Sequence, residues 1–339
     1  MSRAMSAIVR LRRGLTALGL ALALAAPAAA EERFLVVVGG IGGEDYYRDL
    51  FHRWTTTMVD LALEQLGFAP ENVAVLVEQP ARDRRGIARE SRREAVEAAL
   101  ADVAERSRPG DLVMVLLLGH GTARGERVLF NLPGPDLPVE ALAARLTALD
   151  GRTVAVVNAA SASGPFVAAL SAPGRVVITA TASPAEDHAA QFGGHFVGAF
   201  AGGAADADKD GRVSLLEAFA HATAAVRASY ERERRLLTEH ALLDDDGDGA
   251  GSREPGVDPA TGDGALARRT FLAAAPALGE GASAERVALE VAARGLVDRI
   301  EALKRRKREF TESDYLGRLE GLLVELALNR RAAREEGTR

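Results

Sequence analysis

The segment DADKDGRVSLLE, residues 206–217, carries oxygen-bearing side chains at the spacing that binds a hard cation. Carboxylates occupy its first, third, fifth and twelfth positions, and a glycine occupies the sixth, where such a loop turns sharply. Loops of this kind, known as EF-hand loops, give Ca²⁺ the oxygen ligands it prefers. We therefore predict a Ca²⁺ cofactor, the alternative being an acidic connection between two helices that binds no ion. The predicted ligands are Asp206, Asp208, Asp210, Arg212 through its backbone carbonyl, Ser214 through a water, and Glu217.

A second acidic run, DDDGDG, repeats the first half of this pattern. Asp244, Asp246, Asp248 and Gly249 stand at the same offsets, but the twelfth position is Pro255, a residue without a side-chain oxygen. The run predicts either a second, weaker Ca²⁺ site or a polar turn, and the sequence leaves the two alternatives open.

Two apolar runs end in residues that could perform acid–base and nucleophilic chemistry. The run LVMVLLL leads into GHGT, which contains His120, and the run VAVV leads into NAASASG, which contains Ser161 and Ser163. If both runs are neighbouring strands, the histidine and a serine share one crevice, where the histidine could exchange a proton with the attacking hydroxyl or the leaving amine. The N–H of Gly121 could then stabilise an oxyanion.

The elements that would hold these residues alternate along the chain. Five short apolar runs are typical of strands buried on both faces, and amphipathic helical patterns separate them. This alternation predicts an α/β fold, with a doubly wound, mostly parallel sheet between two layers of helices and a site at the carboxyl ends of the strands. The predicted strands are Phe34–Val38, Val73–Val77, Leu112–Leu118, Val154–Val157 and Val176–Thr179, and the predicted helices include Tyr46–Leu66, Glu90–Arg106 and Val139–Leu149.

The two strand tips resemble those of the caspase and legumain-like peptidases. That family has a strand followed by His-Gly and a later strand followed by Ala-Cys-x-Ser-Gly, and this chain has GHGT and ASASG in the same order. The resemblance covers about residues 34–225 and implies the caspase-haemoglobinase-like fold. It implies that His120 and Ser161 occupy the positions of the catalytic histidine and cysteine. The segment YYRDLF resembles the Tyr-Arg segment of the legumain branch, which implies that Arg48 binds substrate.

The chain departs from this family at the nucleophile. Ser161 replaces the cysteine, and Ala159 replaces an acidic residue two positions earlier. A serine has no thiolate form and needs a well-placed general base. Two functions follow: a serine-type peptidase in which Ser161 attacks and His120 is the acid–base, or an inactive pseudopeptidase that binds a peptide or protein partner as a scaffold. Replacement of the thiol favours the second.

The first 30 residues have the composition of a secretory signal. Four arginines precede the apolar run Leu15–Ala25, and the small residues Ala28, Ala29 and Ala30 form a cleavage site. We therefore predict an exported protein, periplasmic or secreted, whose mature chain begins at Glu31. We predict no membrane span after cleavage, because no later stretch of 18 consecutive residues is apolar.

The charge of the chain argues against nucleic acid as a partner. The formal net charge of the 339 residues is −6, and loss of a signal with four arginines and no acids would leave −10. The chain contains no cysteine, which excludes disulfides and cysteine chemistry even in an oxidising compartment.

The C-terminal part has the pattern of two amphipathic helices. Leucine, isoleucine and alanine recur at helical spacing from Leu289 to Leu303, and Leu316, Leu319, Leu323 and Leu326 continue the stripe after a break. We predict a helical hairpin at residues 276–339, which packs on the α/β domain at residues 31–275 or self-associates with another copy.

Overall fold

A computed structural model describes residues 31–125, 127–256, 262–274 and 284–336 of the chain. The predicted signal, residues 1–30, and the predicted boundary at residues 275–276 lie outside the described residues. The strands are β1 (Arg33–Gly39), β2 (Val73–Val77), β3 (Arg89–Glu90), β4 (Leu112–Leu118), β5 (Gly121–Arg124), β6 (Arg127–Phe130), β7 (Leu137–Pro138), β8 (Thr153–Asn158), β9 (Arg175–Thr179) and β10 (Leu242–Asp244). The helices are α1 (Asp45–Glu64), α2 (Arg93–Arg106), α3 (Val139–Leu146), α4 (Phe166–Leu170), α5 (Phe192–Ala199), α6 (Leu215–Arg232), α7 (Ala284–Arg305) and α8 (Glu312–Glu336).

A seven-stranded sheet in the order β10-β9-β8-β4-β1-β2-β3 forms the centre of the fold. Its pairs are parallel except for β10, which runs antiparallel to β9 at one edge. In chain order, β2 and then β3 are added on one side of β1, and β4, β8 and β9 are then added on the opposite side of β1. The strand order therefore reverses between β1 and β4, and in such sheets this switch point opens a crevice at the strands' carboxyl ends.

Helices cover both faces of the sheet, because its central strands are apolar on both sides. The seven side chains of β4 are all buried. Helices α1, α5 and α6 pack on one face around Phe192 and Phe219, and α2, α3 and α4 pack on the other around Leu100 and Phe166. The predicted α/β class with a mostly parallel sheet is confirmed, and the arrangement is compatible with a doubly wound fold.

Two parts of the fold differ from the sequence-based prediction. An antiparallel three-stranded sheet, β5-β6-β7, directly follows the predicted tip residue His120. The segment that contains the acidic run DDDGDG, where the sequence predicted no strand, begins with the edge strand β10. Both elements are short, at two to four residues a strand, so neither carries a readable alternation of apolar and polar residues.

The two C-terminal helices contact each other, with Arg299 of α7 3.6 Å from Glu325 of α8. On α8 the buried and half-buried face contains Tyr315, Leu319 and Leu326. Leu316 and Leu323, placed by the sequence on the packing stripe, are instead 53% and 49% exposed. Within the described part of the chain, no helix combines the length and apolar character that crossing a membrane requires.

Candidate active site and metal clusters

The two polar strand tips lie next to each other. Strands β4 and β8 pair in parallel, with Leu117 opposite Asn158, so their carboxyl ends reach the same edge of the sheet. His120 follows β4 by two residues, and Ser161 follows β8 by three. The condition on which a shared crevice depends, that these two strands are neighbours, is therefore met.

The Ser161 hydroxyl is enclosed and bonded to the backbone of Gly121. The residue is 2% exposed. Its Oγ accepts a hydrogen bond from the Gly121 N–H at 3.3 Å and donates one to the Gly121 carbonyl oxygen at 3.4 Å. A Cβ at Gly121 would overlap the Ser161 carbonyl oxygen, so this close approach requires glycine. The Gly121 N–H, which was predicted to stabilise an oxyanion, is therefore already hydrogen-bonded to the Ser161 hydroxyl.

The His120 ring is held by aromatic side chains of α1. Tyr47 and Phe51 contact it edge to face, with ring centroids 4.8 and 5.0 Å away. Burial lowers the pKa of His120 below its ordinary value, opposed by a hydrogen bond to the backbone of Gly42 and by the charge of Glu44. The imidazole is thus mainly neutral at pH 7. No hydrogen bond among the described residues joins it to Ser161.

The backbone after Ser161 adopts an uncommon conformation. Ala162 has a φ of 50°, in the left-handed region that non-glycine residues rarely occupy. Its N–H donates to the Glu186 carbonyl oxygen at 2.8 Å, which ties the β8 tip to the loop after β9. Strained residues of this kind occur often at functional sites.

The second serine of the tip has a structural role. The Ser163 N–H donates to Thr181 Oγ1 at 2.7 Å, and the Thr181 N–H donates back to Ser163 Oγ at 3.2 Å. Both residues are about 1% exposed. Ser163 therefore joins the tips of β8 and β9, and Ser161 remains the one serine of this tip that a nucleophilic function could use.

Arg48, the predicted substrate-binding residue, is neutralised by two carboxylates. Its Nε lies 3.3 Å from Glu78, and its guanidinium also pairs with Asp45. The hydrogen bond to Glu78 is the largest of the effects that raise the Arg48 pKa. Glu78 also accepts the Gly42 N–H at 3.0 Å. The cavity beside Arg48, at the tips of β1 and β2, has a volume of about 10 Å³, close to the minimum for one water.

The predicted EF-hand loop brings its first three carboxylates together. Oxygens of Asp206, Asp208 and Asp210 all lie within 4.8 Å of one another, so the cluster could hold a metal ion. Burial and the neighbouring charge of Asp210 raise the pKa of Asp208. Gly211, with a φ of 89°, makes the turn, and its N–H donates to Asp206 at 3.1 Å.

The other predicted ligands lie at the start of α6. Ser214 and Glu217 form a capping box, in which each side chain accepts the other residue's backbone N–H. Glu217 also accepts the Ala207 N–H at 2.9 Å, which brings its carboxylate back to the start of the loop. The Arg212 guanidinium stacks over the ring of Phe271, with its central carbon 3.7 Å from the ring centroid. Because a guanidinium has no acceptor atom, the ligand that Arg212 could offer is its backbone carbonyl, as the sequence predicted.

A second acidic cluster contains a residue that the sequence did not indicate. Oxygens of Asp244, Asp246 and Asp263 lie within 4.8 Å of one another. Asp244 is fully buried and Asp263 is 6% exposed. Burial raises the pKa of Asp263 to about 7, and the three nearby aspartates add to the increase. Asp248 instead accepts the N–H of Ala250 within its own turn.

Local sequence could not reveal Asp263, because it joins the cluster through a long-range contact. Asp245 accepts the N–H groups of Gly264 and Ala267 at 2.8 and 2.7 Å, which holds this later loop against β10. Gly262, with a φ of 93°, lets the chain pass close to the Asp246 carboxylate.

Sequence reasoning also missed a buried acidic residue beside the β9 loop. Glu239 is 5% exposed and accepts the N–H groups of Gln191 and Phe192 at the start of α5, at 2.9 and 2.7 Å. Burial raises the pKa of Glu239 to about 7. Its neighbour His240 lies 2.8 Å from Glu186, the residue whose carbonyl accepts the Ala162 N–H.

No protein-family model matches the chain, and a search of curated proteins finds no similar sequence. The resemblance to the caspase and legumain-like peptidases therefore remains a prediction that rests on the residues of the two strand tips.

Proposed function

We propose that this protein is an exported, Ca²⁺-binding relative of the caspase and legumain-like peptidases that binds a peptide or protein partner without hydrolysing it. The observation that carries the proposal is the pairing of the buried Ser161 hydroxyl with the backbone of Gly121. A nucleophile must be open to substrate and activated by a base, and this hydroxyl has neither property.

The surroundings of His120 support the same proposal. Its ring is packed against Tyr47 and Phe51 and bonds to the backbone of Gly42, so it serves to join α1 to the β4 tip. Arg48 is paired with Asp45 and Glu78, which leaves little net positive charge for an acidic substrate group. In this proposal the tips and α1 form a surface that recognises a partner by shape and by backbone groups.

A second candidate function, serine-type peptide hydrolysis, is favoured by the conformation of Ala162. A left-handed alanine costs on the order of 1–3 kcal/mol and persists only where the surrounding structure requires it. Such strain directly after Ser161 is the kind that presents a reactive side chain. In this function Ser161 would move away from Gly121 when substrate binds, freeing the Gly121 N–H for the oxyanion.

The acidic clusters support Ca²⁺ as the cofactor. Their donors are all oxygens, which suit the hard cation Ca²⁺ better than they suit the softer transition metals. The first cluster, with Asp206, Asp208 and Asp210, carries the full EF-hand pattern. The second, with Asp244, Asp246 and Asp263, is proposed as a further Ca²⁺ site. Both clusters lie on loops at helix and strand ends, where an ion would brace the fold.

A cleavage assay with a mixed peptide library and added Ca²⁺ tests the proposal. We expect no hydrolysis by the wild-type protein, and none by Ser161→Cys, because a thiol at this position is enclosed by Gly121 in the same way. Hydrolysis by the wild type that is lost in Ser161→Ala would establish the second candidate function. Hydrolysis by Ser161→Cys alone would show that the missing thiol, and not the packing, accounts for inactivity.

A further inference from the structure

A cavity of about 480 Å³ lies between α1 and residues 82–88, in the segment that leads from β2 to β3. Its apolar side is formed by Val59 of α1 and by Val75 and Val77 of β2, all three of them buried. Its volume is within the range of pockets that hold small organic ligands, which are lined by apolar groups and a few convergent polar ones. Ser161 does not line it, so the cavity is separate from the candidate nucleophile.

The two polar walls of the cavity are fixed by local structure. On α1, His52 and Thr55 are three residues apart and therefore lie on the same side of the helix. On the opposite wall the Asp83 carboxylate accepts the N–H groups of Ile87 and Ala88, both at 2.8 Å. Burial acts to raise the pKa of Asp83, but its backbone hydrogen bonds together lower it. The loop is thus folded around an ionised carboxylate.

Four arginines line the cavity, and two of them are paired with carboxylates. Arg82 lies 2.8 Å from Asp49. Arg85 lies 2.8 Å from Asp60 and also pairs with Glu64. Asp49 and Glu64 are both more than half exposed and do not line the cavity. These two arginines are therefore already neutralised, and they contribute shape more than charge.

The other two arginines, Arg53 and Arg84, have no ion pair and no side-chain hydrogen bond in the part of the chain that the structure describes. The charge of Arg84 is felt inside the cavity. Burial lowers the pKa of His52, and the charges of Arg82 and Arg84 act in the same direction. A guanidinium presents a planar fork of N–H donors that matches the two oxygens of a carboxylate. Arg53 and Arg84 therefore leave two anion-binding groups open at this cavity.

The inner end of the cavity contains a hydroxyl group that the described residues leave unpaired. Thr55 is 1% exposed and lines both this cavity and the smaller one beside Arg48. Its Oγ1 has no hydrogen-bond partner there. A buried hydroxyl without a partner is unfavourable, and a polar ligand atom that reaches this end of the cavity would supply one.

The charges of the lining favour a single carboxylate as the anionic group of the ligand. The lining contains four arginines and two aspartates, an excess of two positive charges. Asp49 and Glu64 offset part of that excess from the solvent side. Because Asp60 and Asp83 remain in the lining, a dianion such as a phosphate monoester would be repelled more strongly than a monoanion.

We infer that this cavity binds a small organic monocarboxylate, whose carboxylate pairs with Arg53 and Arg84 and whose apolar body lies against Val75 and Val77. The inference goes beyond the proposed function, and it does not depend on whether Ser161 is catalytic. It assigns a ligand site to the outer part of α1, away from the acidic clusters.

Isothermal titration calorimetry with phenylacetate tests the inference, because this probe combines a carboxylate with an apolar ring. In a carboxylate-free buffer of low ionic strength, phenylacetate should bind about tenfold more tightly than acetate, which lacks the ring, and than phenethyl alcohol, which lacks the charge. Failure of phenylacetate to bind, or equal binding of phenethyl alcohol, would overturn the inference. Tighter binding of phenyl phosphate would contradict the assignment of a monocarboxylate.

Substitution of the two unpaired arginines locates the carboxylate. Arg53→Met and Arg84→Met keep an unbranched side chain but remove its charge, and each should weaken phenylacetate binding by about tenfold. Arg227→Met, at an exposed arginine of α6 that does not line the cavity, is the matched control and should bind as the wild type does. Equal affinity in all three variants would contradict the inference.

Filling the cavity tests the position of the apolar body. Ala88 is half-buried and lines the cavity, so Ala88→Leu should occupy part of its space and weaken phenylacetate binding, with an unchanged circular dichroism spectrum. Ala101→Leu, at an exposed alanine of α2, is the control and should leave the affinity unchanged. Wild-type affinity in Ala88→Leu would place the ligand outside the cavity and refute the inference. If Ala88→Leu does not fold, the two arginine variants still decide it.

Discussion

The Gly121 N–H donates to the Ser161 hydroxyl at 3.3 Å, so the candidate oxyanion donor and the candidate nucleophile are bonded to each other. Each group thereby satisfies the other, with Ser161 buried and Gly121 half-buried. The β4 tip and the β8 tip are thus closed against one another at the point where a peptidase would admit its substrate. The closure depends on glycine at residue 121, which can be tested directly.

Gly121→Ala should destabilise the protein by about 2 kcal/mol or more, because the added Cβ overlaps the Ser161 carbonyl oxygen and forces the tips apart. Denaturant unfolding measures this change. Gly198→Ala is the matched control: it lies in α5 with nothing within 4 Å of an added Cβ, and it should be neutral or stabilising by up to about 1 kcal/mol. Equal effects of the two substitutions would refute the close contact.

Ser163→Ala should cost about 1–3 kcal/mol, because it leaves the buried Thr181 N–H without its acceptor. Ser171→Ala provides the comparison, since the buried Ser171 hydroxyl has no hydrogen-bond partner within the part of the chain that the structure describes, and its removal should be nearly neutral. Unfolding free energies from urea titrations distinguish the two serines. If both variants were as stable as the wild type, the proposal that Ser163 joins the tips of β8 and β9 would be wrong.

The unfolding free energy should decrease between pH 5 and pH 8 because of Glu239. Its folded-state pKa of about 7 exceeds the unfolded value of 4.5, so the folded state holds the proton more tightly in this range. Stability contributed by the protonated group is complete below pH 4.5 and is lost as the pH rises through 7, by about 3 kcal/mol in all. Glu239→Gln should reduce this slope, whereas Glu231→Gln, at an exposed position, should leave it unchanged.

Added Ca²⁺ should stabilise the protein through the acidic clusters. With a dissociation constant of about 10⁻⁴–10⁻³ M, 10 mM Ca²⁺ would contribute about 1.5–3 kcal/mol for one site, seen as a rise in Tm. Asp206→Asn keeps an acceptor for the Gly211 N–H but removes the charge, and should abolish the part of the Tm rise that the first cluster contributes. Asp244→Asn should abolish the part that the second cluster contributes. A rise that persists in the double variant would place the bound ion elsewhere.

The sheet could be predicted from sequence because it depends on local pattern. Val73–Val77 and Leu112–Leu118 were predicted with the bounds that the structure shows, since a strand buried on both faces is a continuous apolar run. The same pattern put His120 and Ser161 at strand tips, but that these two strands are neighbours is shown only by the structure. The contact of Gly121 with Ser161 could not be predicted, because it is set by how closely two loops pack.

Other parts of the site depend on contacts between distant segments. Asp263 reaches Asp244 only because Asp245 holds the later loop, and the partners of Glu239 are backbone groups 47 and 48 residues away. On α8 the predicted stripe contains the half-buried Leu319 and Leu326 together with the exposed Leu316 and Leu323. Spacing located the packed side of the helix only approximately, because residues at the edge of such a stripe can lie on either side of the contact.

Intact-mass spectrometry after treatment with a fluorophosphonate tests the central claim most directly. This reagent reacts with serine hydroxyls that a neighbouring base activates. In the presence of Ca²⁺ the wild-type protein should keep its mass, as should Ser161→Ala, because the Ser161 hydroxyl is enclosed by Gly121 and lacks a bond to His120. A single adduct on the wild type that is absent from both Ser161→Ala and His120→Ala would contradict a non-hydrolytic function.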